Sequence, residues 1–124
     1  MRNPYNRRGL LSEAKLFDLE QQYQKFFDHL QQGIPVWGIM QQYWILTENE
    51  QGQKAMLVWD SQEQAQRNCL MIWHLATPKA ITAEQFVSQI LPYLVKQNHL
   101  LAINRNVKGD SVYMAADQLL QDLK

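Results

Sequence analysis

Three short segments of the chain are rich in β-branched, aliphatic and aromatic residues: PVWGIM (35–40), YWILTE (43–48) and KAMLVW (54–59). This composition is typical of β-strands. The connections between the segments hold only a few residues, which is enough for antiparallel neighbours but not for a parallel crossover. Gly52 in the second connection is free to take the positive φ of a tight turn. The chain is therefore constrained to begin its sheet with three consecutive antiparallel strands.

The segment before these strands has the spacing of an amphipathic helix. Its apolar residues fall within about 100° of a helical projection, which is the pattern of one buried face. They are Leu16, Leu19, Tyr23, Phe26, Phe27 and Leu30. We expect the helix to begin at an N-cap on Ser12 and to end at Gly33, with Pro35 beyond it.

A second amphipathic helix is predicted from Thr82, which has capping-box spacing to Gln85. Pro92 lies inside it and removes one backbone donor, so we expect a kink or a break near Leu91. Asn98 is the expected stop. A shorter polar helix is predicted to begin at a cap on Asp60 or Ser61, of which Ser61 has the same capping spacing to Gln64.

The remaining segments complete the prediction. CLMIWHLA (69–76) is apolar on both faces and is predicted to be a central strand, which TPKAI (77–81) interrupts. LLAINRN and SVYM form a last hairpin, and AADQLLQDLK a closing helix. We expect a flexible arm at 1–11 and a single α+β domain at 12–124. Its sheet is mostly antiparallel, with about five to six short strands and helices packed on it.

Composition excludes several classes of protein. The 124 residues have no net charge, which disfavours nucleic-acid binding because phosphates attract clustered cations. The basic residues are scattered: Arg2, Arg7 and Arg8 in the arm, and Arg105 and Lys108 near a turn. A single cysteine rules out an internal disulfide and favours a reducing compartment. No apolar run is long enough to cross a membrane and no secretory signal is visible, so we expect a cytoplasmic protein.

The spacing of several aromatic and aliphatic residues between about Phe26 and Leu123 resembles a bacterial family of unknown function, domain of unknown function 2750 (DUF2750). The resemblance depends on Val36, Trp37, Trp59, Trp73, Ile81, Phe86, Leu91, Pro92, Leu94 and Asn104. These residues form a packing signature without a diagnostic chemical motif. The resemblance implies a small cytoplasmic bacterial α+β domain and supplies no catalytic residue.

No motif for metal, cofactor or nucleophilic chemistry is present. His29, His74 and His99 lack the close spacing of a metal motif, and Cys69 has no second thiol with which to bind zinc. On one extended strand Cys69 and His74 would be about 16 Å apart, too far for a nucleophile and its base. We therefore expect no metal, no cofactor and no catalytic residue.

Aromatic residues are the one unusual feature. Trp37, Trp44, Trp59 and Trp73 either fill the core or leave an exposed patch of the kind that binds partners. Trp44 is the best outward candidate, together with Tyr43 and Tyr113.

Two functional hypotheses follow from the sequence. The first is a non-enzymatic domain that binds a protein partner in a regulatory or neutralising role, with a homodimer as a further option at an exposed strand edge. The second is a small-molecule binding protein or enzyme with a cleft between the sheet and the third helix. That cleft would use His74, Asn104 and Arg105, the last as a two-pronged contact to a carboxylate or phosphate.

Overall fold

Helices and strands follow one another in nearly the predicted order in a computed structural model that describes residues 13–124. The arm at 1–11 and the expected N-cap at Ser12 lie outside the described residues. The helices are α1 (Glu13–Gln31), α2 (Gln62–Met71), α3 (Ala83–Gln85), α4 (Leu91–Gln97) and α5 (Ala116–Asp122). The strands are β1 (Val36–Gln41), β2 (Tyr43–Trp44), β3 (Leu46–Glu48), β4 (Lys54–Val58), β5 (Thr77–Ile81), β6 (Leu100–Ile103) and β7 (Val112–Ala115).

Among the described residues of its predicted apolar face, helix α1 buries Leu19, Phe26 and Leu30. It ends at Gly33, which has a φ of 78°. The N–H of Gly33 donates to the carbonyl of Leu30, and the N–H of Ile34 donates to that of His29. These two bonds form a Schellman motif, which needs a residue in the left-handed conformation. The glycine therefore fixes both the end of the helix and the direction in which the chain enters β1.

The second predicted strand is divided between two sheets. Its first part, β2, pairs antiparallel with β1, and its second part, β3, pairs antiparallel with β4. Ile45 lies at the division, where its N–H donates to the Ile39 carbonyl and its carbonyl accepts from the N–H of Leu57. Trp37 and Trp59 exchange backbone hydrogen bonds of 2.8 and 2.7 Å between the sheets. The strand orders are β2-β1-β5 and β3-β4-β6-β7.

The prediction of a central strand at 69–76 is wrong. Helix α2 continues to Met71, and the chain then turns, with the N–H of Ala76 donating to the Trp73 carbonyl. Ala65, Asn68 and Cys69 are buried at helical spacing, which decides the local structure in favour of a helix. The apolar run looked like a buried strand because Leu70, Met71, Ile72 and Leu75 are also apolar, yet all four are exposed.

The strand that was expected near this position forms one segment later, at TPKAI. Strand β5 pairs antiparallel with β1 and lies at the edge of its sheet. Pro78, which stands opposite Ile39, led us to expect an interruption. An edge strand tolerates proline because one side of its backbone needs no ladder hydrogen bond.

The predicted disturbance at Pro92 takes the form of a π-helical turn. Phe86–Ile90 joins α3 to α4, and the N–H of Leu91 donates to the Phe86 carbonyl five residues back. Pro92 has no N–H and its ring would crowd the carbonyl four residues earlier, so a wider turn accommodates it without ending the helix. Thr82 caps the start and Asn98, with a φ of 58°, forms the stop, both as predicted.

One pair of strands is parallel. β6 lies parallel to β4, whereas β7 pairs antiparallel with β6 and completes the predicted hairpin. The remaining strand pairs are antiparallel, which confirms a mostly antiparallel α+β domain. None of the helices in the described part of the chain is long and apolar enough to span a bilayer.

Strand β4 supplies two core clusters from its two faces. Met56 and Val58 pack in one cluster with residues of α1, α4 and α5, and Ala55, Leu57 and Trp59 pack in the other with residues of α2 and β1. This alternation is the period of two that a strand imposes on its side chains. Trp59 is fully buried, and the other three tryptophans are partly buried at the edges of these clusters. The tryptophans are therefore mainly core residues.

Replacing Phe26 with alanine should destabilise the domain strongly. The Phe26 ring is 1% exposed and meets Phe86 edge to face, with 6.0 Å between centroids. Removing a buried phenylalanine typically costs about 3–5 kcal/mol of unfolding free energy. Urea unfolding of Phe26→Ala measures the loss, and Phe17→Ala on the same helix is the control because that ring is 64% exposed. The control should change stability by less than about 0.5 kcal/mol; equal losses would contradict the assignment of the buried face.

Candidate functional site

Asp60 and Asn104 meet beyond the carboxyl ends of the two parallel strands. Val58 and Ile103 are partners at the ends of β4 and β6, and the N–H of Asn104 donates to the Val58 carbonyl over 2.9 Å. The N–H of Asp60 donates to Asn104 Oδ1 over 3.1 Å. Ligands of sheets with parallel strands bind at such carboxyl ends, where the chain leaves the sheet. This is therefore the first candidate position for a site.

The carboxylate of Asp60 is almost completely buried, with 3% of its side chain exposed. Asn104 Nδ2 donates to its Oδ2 over 3.2 Å. Helix α1 contributes Lys25, whose Nζ lies 3.8 Å from Oδ1, and His29, whose Nδ1 lies 3.4 Å from Oδ2. The His29 contact is an ion-pair distance without hydrogen-bond alignment, and Nδ1 has no hydrogen-bond partner among the described residues. Burial of a charge costs free energy unless polar or oppositely charged groups surround it. The neighbouring side chains therefore offset the cost of burying the Asp60 carboxylate.

Asn104 holds this arrangement through an unusual backbone conformation. Its φ is 53°, in the left-handed region that asparagine tolerates better than most residues. The conformation turns the side chain back so that it receives the N–H of Asp60 and donates to the Asp60 carboxylate. A longer bond of 3.4 Å runs from Asn104 Nδ2 to Gln22 Oε1 on α1. Asn104 therefore links both strand ends to α1.

Arg105 acts as a structural brace. Its Nη1 donates to Asn68 Oδ1 over 2.7 Å and to the Asn106 carbonyl over 3.1 Å, and its guanidinium carbon lies 5.1 Å from the centre of the Trp73 ring. The Arg105 carbonyl accepts from Trp59 Nε1 and from Asn68 Nδ2. These contacts fix the loop after β6 against α2. One of its terminal nitrogens, Nη1, is therefore engaged inside the protein, and the two-pronged contact expected from the sequence stays a prediction.

A polar cleft of about 170 Å³ opens between α1 and the loop that follows β6. This volume is below the roughly 300–1,000 Å³ of pockets for drug-sized ligands, so the cleft fits only a small group. Its wall is mainly carboxylate, amide and ammonium groups over an apolar floor. The lining residues are Asp18, Leu19, Gln22, Lys25, Asp60, Gln64, Ile103, Asn104, Asn106, Asp110 and Val112.

An ion pair between Lys15 and Asp110 joins α1 to the loop at the cleft wall. The hydrogen bond from Lys15 is the largest influence on the Asp110 carboxyl and lowers its pKa. Partial burial opposes this effect, and a hydrogen bond from Asn106 adds to it. Asn106 also accepts the N–H groups of Lys108 and Asp110, which shapes the loop.

A separate apolar groove of about 320 Å³ lies between strands β2 and β3 and the helix that follows the π turn. Tyr43 and Tyr93 are 79% and 57% exposed. Nδ1 of His99 is buried without a hydrogen-bond partner among the described residues. The lining residues are Tyr43, Trp44, Leu46, Met56, Ile90, Tyr93, Leu94 and His99. The groove combines exposed aromatic rings with one unsatisfied polar atom.

Gly38 positions the Trp44 ring in this groove. A Cβ atom on Gly38 would lie 2.8 Å from two carbons of the Trp44 ring, closer than real Cβ atoms approach a neighbour. Glycine is therefore required for the indole to lie flat against β1. The packing explains why Trp44 lines the groove as a partly buried wall.

The residues predicted from the sequence fall in four places. Tyr43 and Trp44 line the apolar groove, and Asn104 lines the polar cleft. Tyr113 packs with the second core cluster, and its hydroxyl donates to the Glu48 carbonyl over 3.4 Å. His74 is exposed in the turn after α2. Of the three residues proposed for one cleft, Asn104 lines the polar cleft, whereas His74 and Arg105 are not among the residues that line it.

Sequence reasoning missed the charged members of the cleft. Asp60 and Lys25 line the cleft but were not among the predicted site residues, although Asp60 follows a buried strand. Asn104 follows another buried strand in the same way. Two polar residues at the ends of apolar strands were the available signal, but it needs the parallel pairing to bring them together.

The setting of the single cysteine disfavours a reactive thiol. Cys69 is a free, buried thiol on α2, and burial raises its pKa, which disfavours the reactive thiolate. Among the described residues no group of three or more histidine, cysteine or acidic side chains is arranged to hold a metal ion.

The fold and these sites define a small α+β domain with a polar cleft at the ends of its parallel strands and an apolar groove along its sheet edge. The chain belongs to the family described as "Protein of unknown function (DUF2750)", which matches residues 23–123. This confirms the family that the sequence resembles. No curated protein and no solved structure matches the chain.

Substitution of Asn104 should separate its backbone role from its side-chain role. Asn104→Gly keeps the left-handed conformation but loses the hydrogen bond to the buried carboxylate and the one from the Asp60 N–H, which should cost about 1.5–3 kcal/mol of unfolding free energy. Asn104→Ala should cost about 1 kcal/mol more because alanine is strained there. Urea unfolding measures both. Asn98 at the end of α4 has the same conformation, and Asn98→Gly should be close to neutral; a neutral Asn104→Gly would refute the role of the side chain.

The ion pair between Lys15 and Asp110 should make stability depend on pH. Because the folded pKa of Asp110 is lowered, the pair contributes stability above the unfolded value of about 4 and loses it as pH falls through the folded value. Both side chains are about one-third exposed, so the contribution should be below about 1 kcal/mol. Urea unfolding of Lys15→Met should show a deficit at pH 7 that shrinks toward pH 2; a deficit of constant size would contradict this.

Proposed function

We propose that this protein is a non-enzymatic domain that binds a segment of a partner protein in the apolar groove, in a regulatory or neutralising role. The proposal is carried by one observation: two largely exposed tyrosine rings, Tyr43 and Tyr93, border a groove whose wall is otherwise mostly apolar. Tyrosine and tryptophan are enriched among the residues that contribute most to binding, because they offer a large contact area at small entropic cost.

The size of the groove suits a side chain from another protein. A volume of about 320 Å³ is at the lower end of the roughly 300–1,000 Å³ found for ligand pockets, which is enough for one or two bulky apolar groups. Leu46, Met56 and Leu94 supply the apolar wall. Burying a leucine or phenylalanine there would gain about 1.5–3 kcal/mol before the costs of association.

Two polar features favour a peptide segment over a purely hydrophobic ligand. His99 Nδ1 is buried without a partner among the described residues, so an occupant that hydrogen-bonds to it removes a desolvation penalty. Strands β2 and β3 lie at the edges of their sheets, where an extended segment can run alongside. We therefore infer an extended segment with a bulky apolar residue that enters the groove beside His99.

The proposal includes a location in a bacterial cytoplasm. Cys69 is free and buried, which is compatible with a reducing compartment. The family resemblance implies the bacterial origin.

The test is selection of displayed peptides on the immobilised protein, followed by fluorescence titration that uses Trp44 in the groove wall. We expect enriched peptides to share a bulky apolar residue and to bind Tyr93→Ser at least tenfold more weakly, which corresponds to about 1.4 kcal/mol. Leu75→Ser is the matched control, because Leu75 is 78% exposed and lies outside the groove lining. It should leave binding unchanged.

Two outcomes would contradict the proposal. The first is a selection that enriches no peptide, or only peptides that bind wild type and Tyr93→Ser equally. The second is a groove filled by another copy of the chain, seen by light scattering as a dimer that Tyr93→Ser dissociates and Leu75→Ser does not. That result would replace the partner protein with a homodimer.

A further inference from the structure

We propose that the polar cleft binds a primary ammonium group, with Oδ1 of Asp60 as its main acceptor. The group is either a free small amine or the side chain of a lysine in a partner. This inference concerns the cleft beyond β4 and β6 and does not rest on the proposed function of the apolar groove.

The two oxygens of the Asp60 carboxylate are not equally satisfied. Oδ2 accepts from Asn104 Nδ2 over 3.2 Å and has His29 Nδ1 at 3.4 Å. For Oδ1 the described part of the chain offers only Lys25 Nζ at 3.8 Å, which is beyond hydrogen-bond length. The Asp60 carboxylate, with 3% of its side chain exposed, therefore presents to the cleft one oxygen whose nearest described cation lies beyond hydrogen-bond length. Such an acceptor favours a donor that enters from the cleft.

The charges around the cleft favour a cation over an anion. Among the described residues, Asp18, Asp60 and Asp110 line it, against Lys25 as the one cationic group. Lys15 and Lys108 both favour the charged form of Asp110, so the remaining carboxylates of the lining are Asp18 and Asp60, against Lys25. An arriving carboxylate or phosphate would meet like charges, whereas an ammonium group would balance the excess.

The lining also provides the neutral acceptors that a primary ammonium needs for its remaining protons. An ammonium group has three donors and no acceptor. Gln22 and Gln64 line the same cleft, and each carries an amide oxygen. The volume of about 170 Å³ admits a short alkylammonium chain and excludes most drug-sized molecules.

Lys25 acts as an internal competitor in this arrangement. Its side chain is 52% exposed, so its ammonium group can move away from Oδ1 into solvent when a ligand arrives. Removing its charge while keeping its apolar length should therefore tighten the binding of an external amine. A purely structural role for the contact of Lys25 with Asp60 gives no such increase, which makes Lys25→Met the more informative variant.

Two probes test the proposal on the full chain labelled with ¹⁵N: n-butylammonium chloride and the peptide Ac-Gly-Lys-Gly-amide. The side-chain amide of Asn104 reports binding, because it contacts the same carboxylate. At fixed pH and ionic strength we expect saturable shifts of this signal with at least one probe. Asp60→Asn should weaken binding at least tenfold, and Lys25→Met should strengthen it several-fold.

Two controls separate recognition of the cation from general effects. The neutral analogue 1-butanol should give no saturable shift of the Asn104 amide. Asp117→Asn removes an exposed carboxylate at the start of α5, outside the cleft lining, and should leave the affinity unchanged. If Asp60→Asn fails to fold, the comparison of wild type with Lys25→Met and Asp117→Asn still decides the question.

The outcomes divide as follows. Binding of butylammonium alone identifies a small amine as the ligand, and binding of the lysine peptide alone identifies a partner's side chain. Binding of both shows that the cleft recognises the primary ammonium group that the two probes share. Each of these supports the proposal. The absence of saturable shifts with both probes overturns it, and so does binding that Lys25→Met and Asp60→Asn do not alter.

Discussion

The parallel pairing of β4 with β6 is the interaction on which the rest of the structure depends. Leu57 and Ala102 face the cluster that holds α2, whereas Val58 and Ile103 face the cluster that holds α1, α4 and α5. Strands buried on both faces are typical of parallel pairs with covering elements on either side. The two clusters therefore share the same two strands, and the loss of this pair would separate them. Helix α2 covers one face and α1, α4 and α5 cover the other, and the three-stranded sheet contributes residues to both clusters.

The same pairing creates the polar cleft and sets its energetics. Parallel strands leave the sheet at the same end, so Asp60 and Asn104 must lie together once Val58 and Ile103 are partners. The carboxylate is then too deep to remain unpaired, and the left-handed conformation of Asn104 costs free energy that its hydrogen bonds offset. Lys25 and His29 complete the arrangement from α1. The position of the cleft is a consequence of the strand topology, and its negative charge comes in part from Asp60, which follows β4.

The local structure was predictable wherever a short-range rule had no competitor. The Gly33 end of α1, the caps at Ser61 and Thr82 and the stop at Asn98 are confirmed because each depends on a few adjacent residues.

The prediction of a strand at 69–76 was wrong because a continuous apolar run shows neither the period of a strand nor that of a helix. There the buried spacing of α2 decided the structure, and the exposed apolar residues carried no information. The parallel pair was beyond local rules, since its partners lie more than forty positions apart, and with it the contact of Asp60 with Asn104. Part of the groove was predictable. Tyr43 and Trp44 were predicted site residues because they are aromatic, but Tyr93 and His99 join them only through packing around the π turn.

The two proposed sites lie along the same strand, which bears on whether they can influence each other. Met56 lines the groove and Asp60 lines the cleft, about 13 Å apart along an extended backbone. Coupling between sites requires an element with two arrangements that both ligands bias. β4 offers no such element, because Ala55, Leu57 and Val58 are fully buried and a close-packed strand moves little without unfolding. The loop after β6 adds none, since Arg105 fixes it to α2. Occupancy of the cleft and of the groove should therefore be independent. The protein would hold two ligands near each other, and binding of one would not change the affinity for the other.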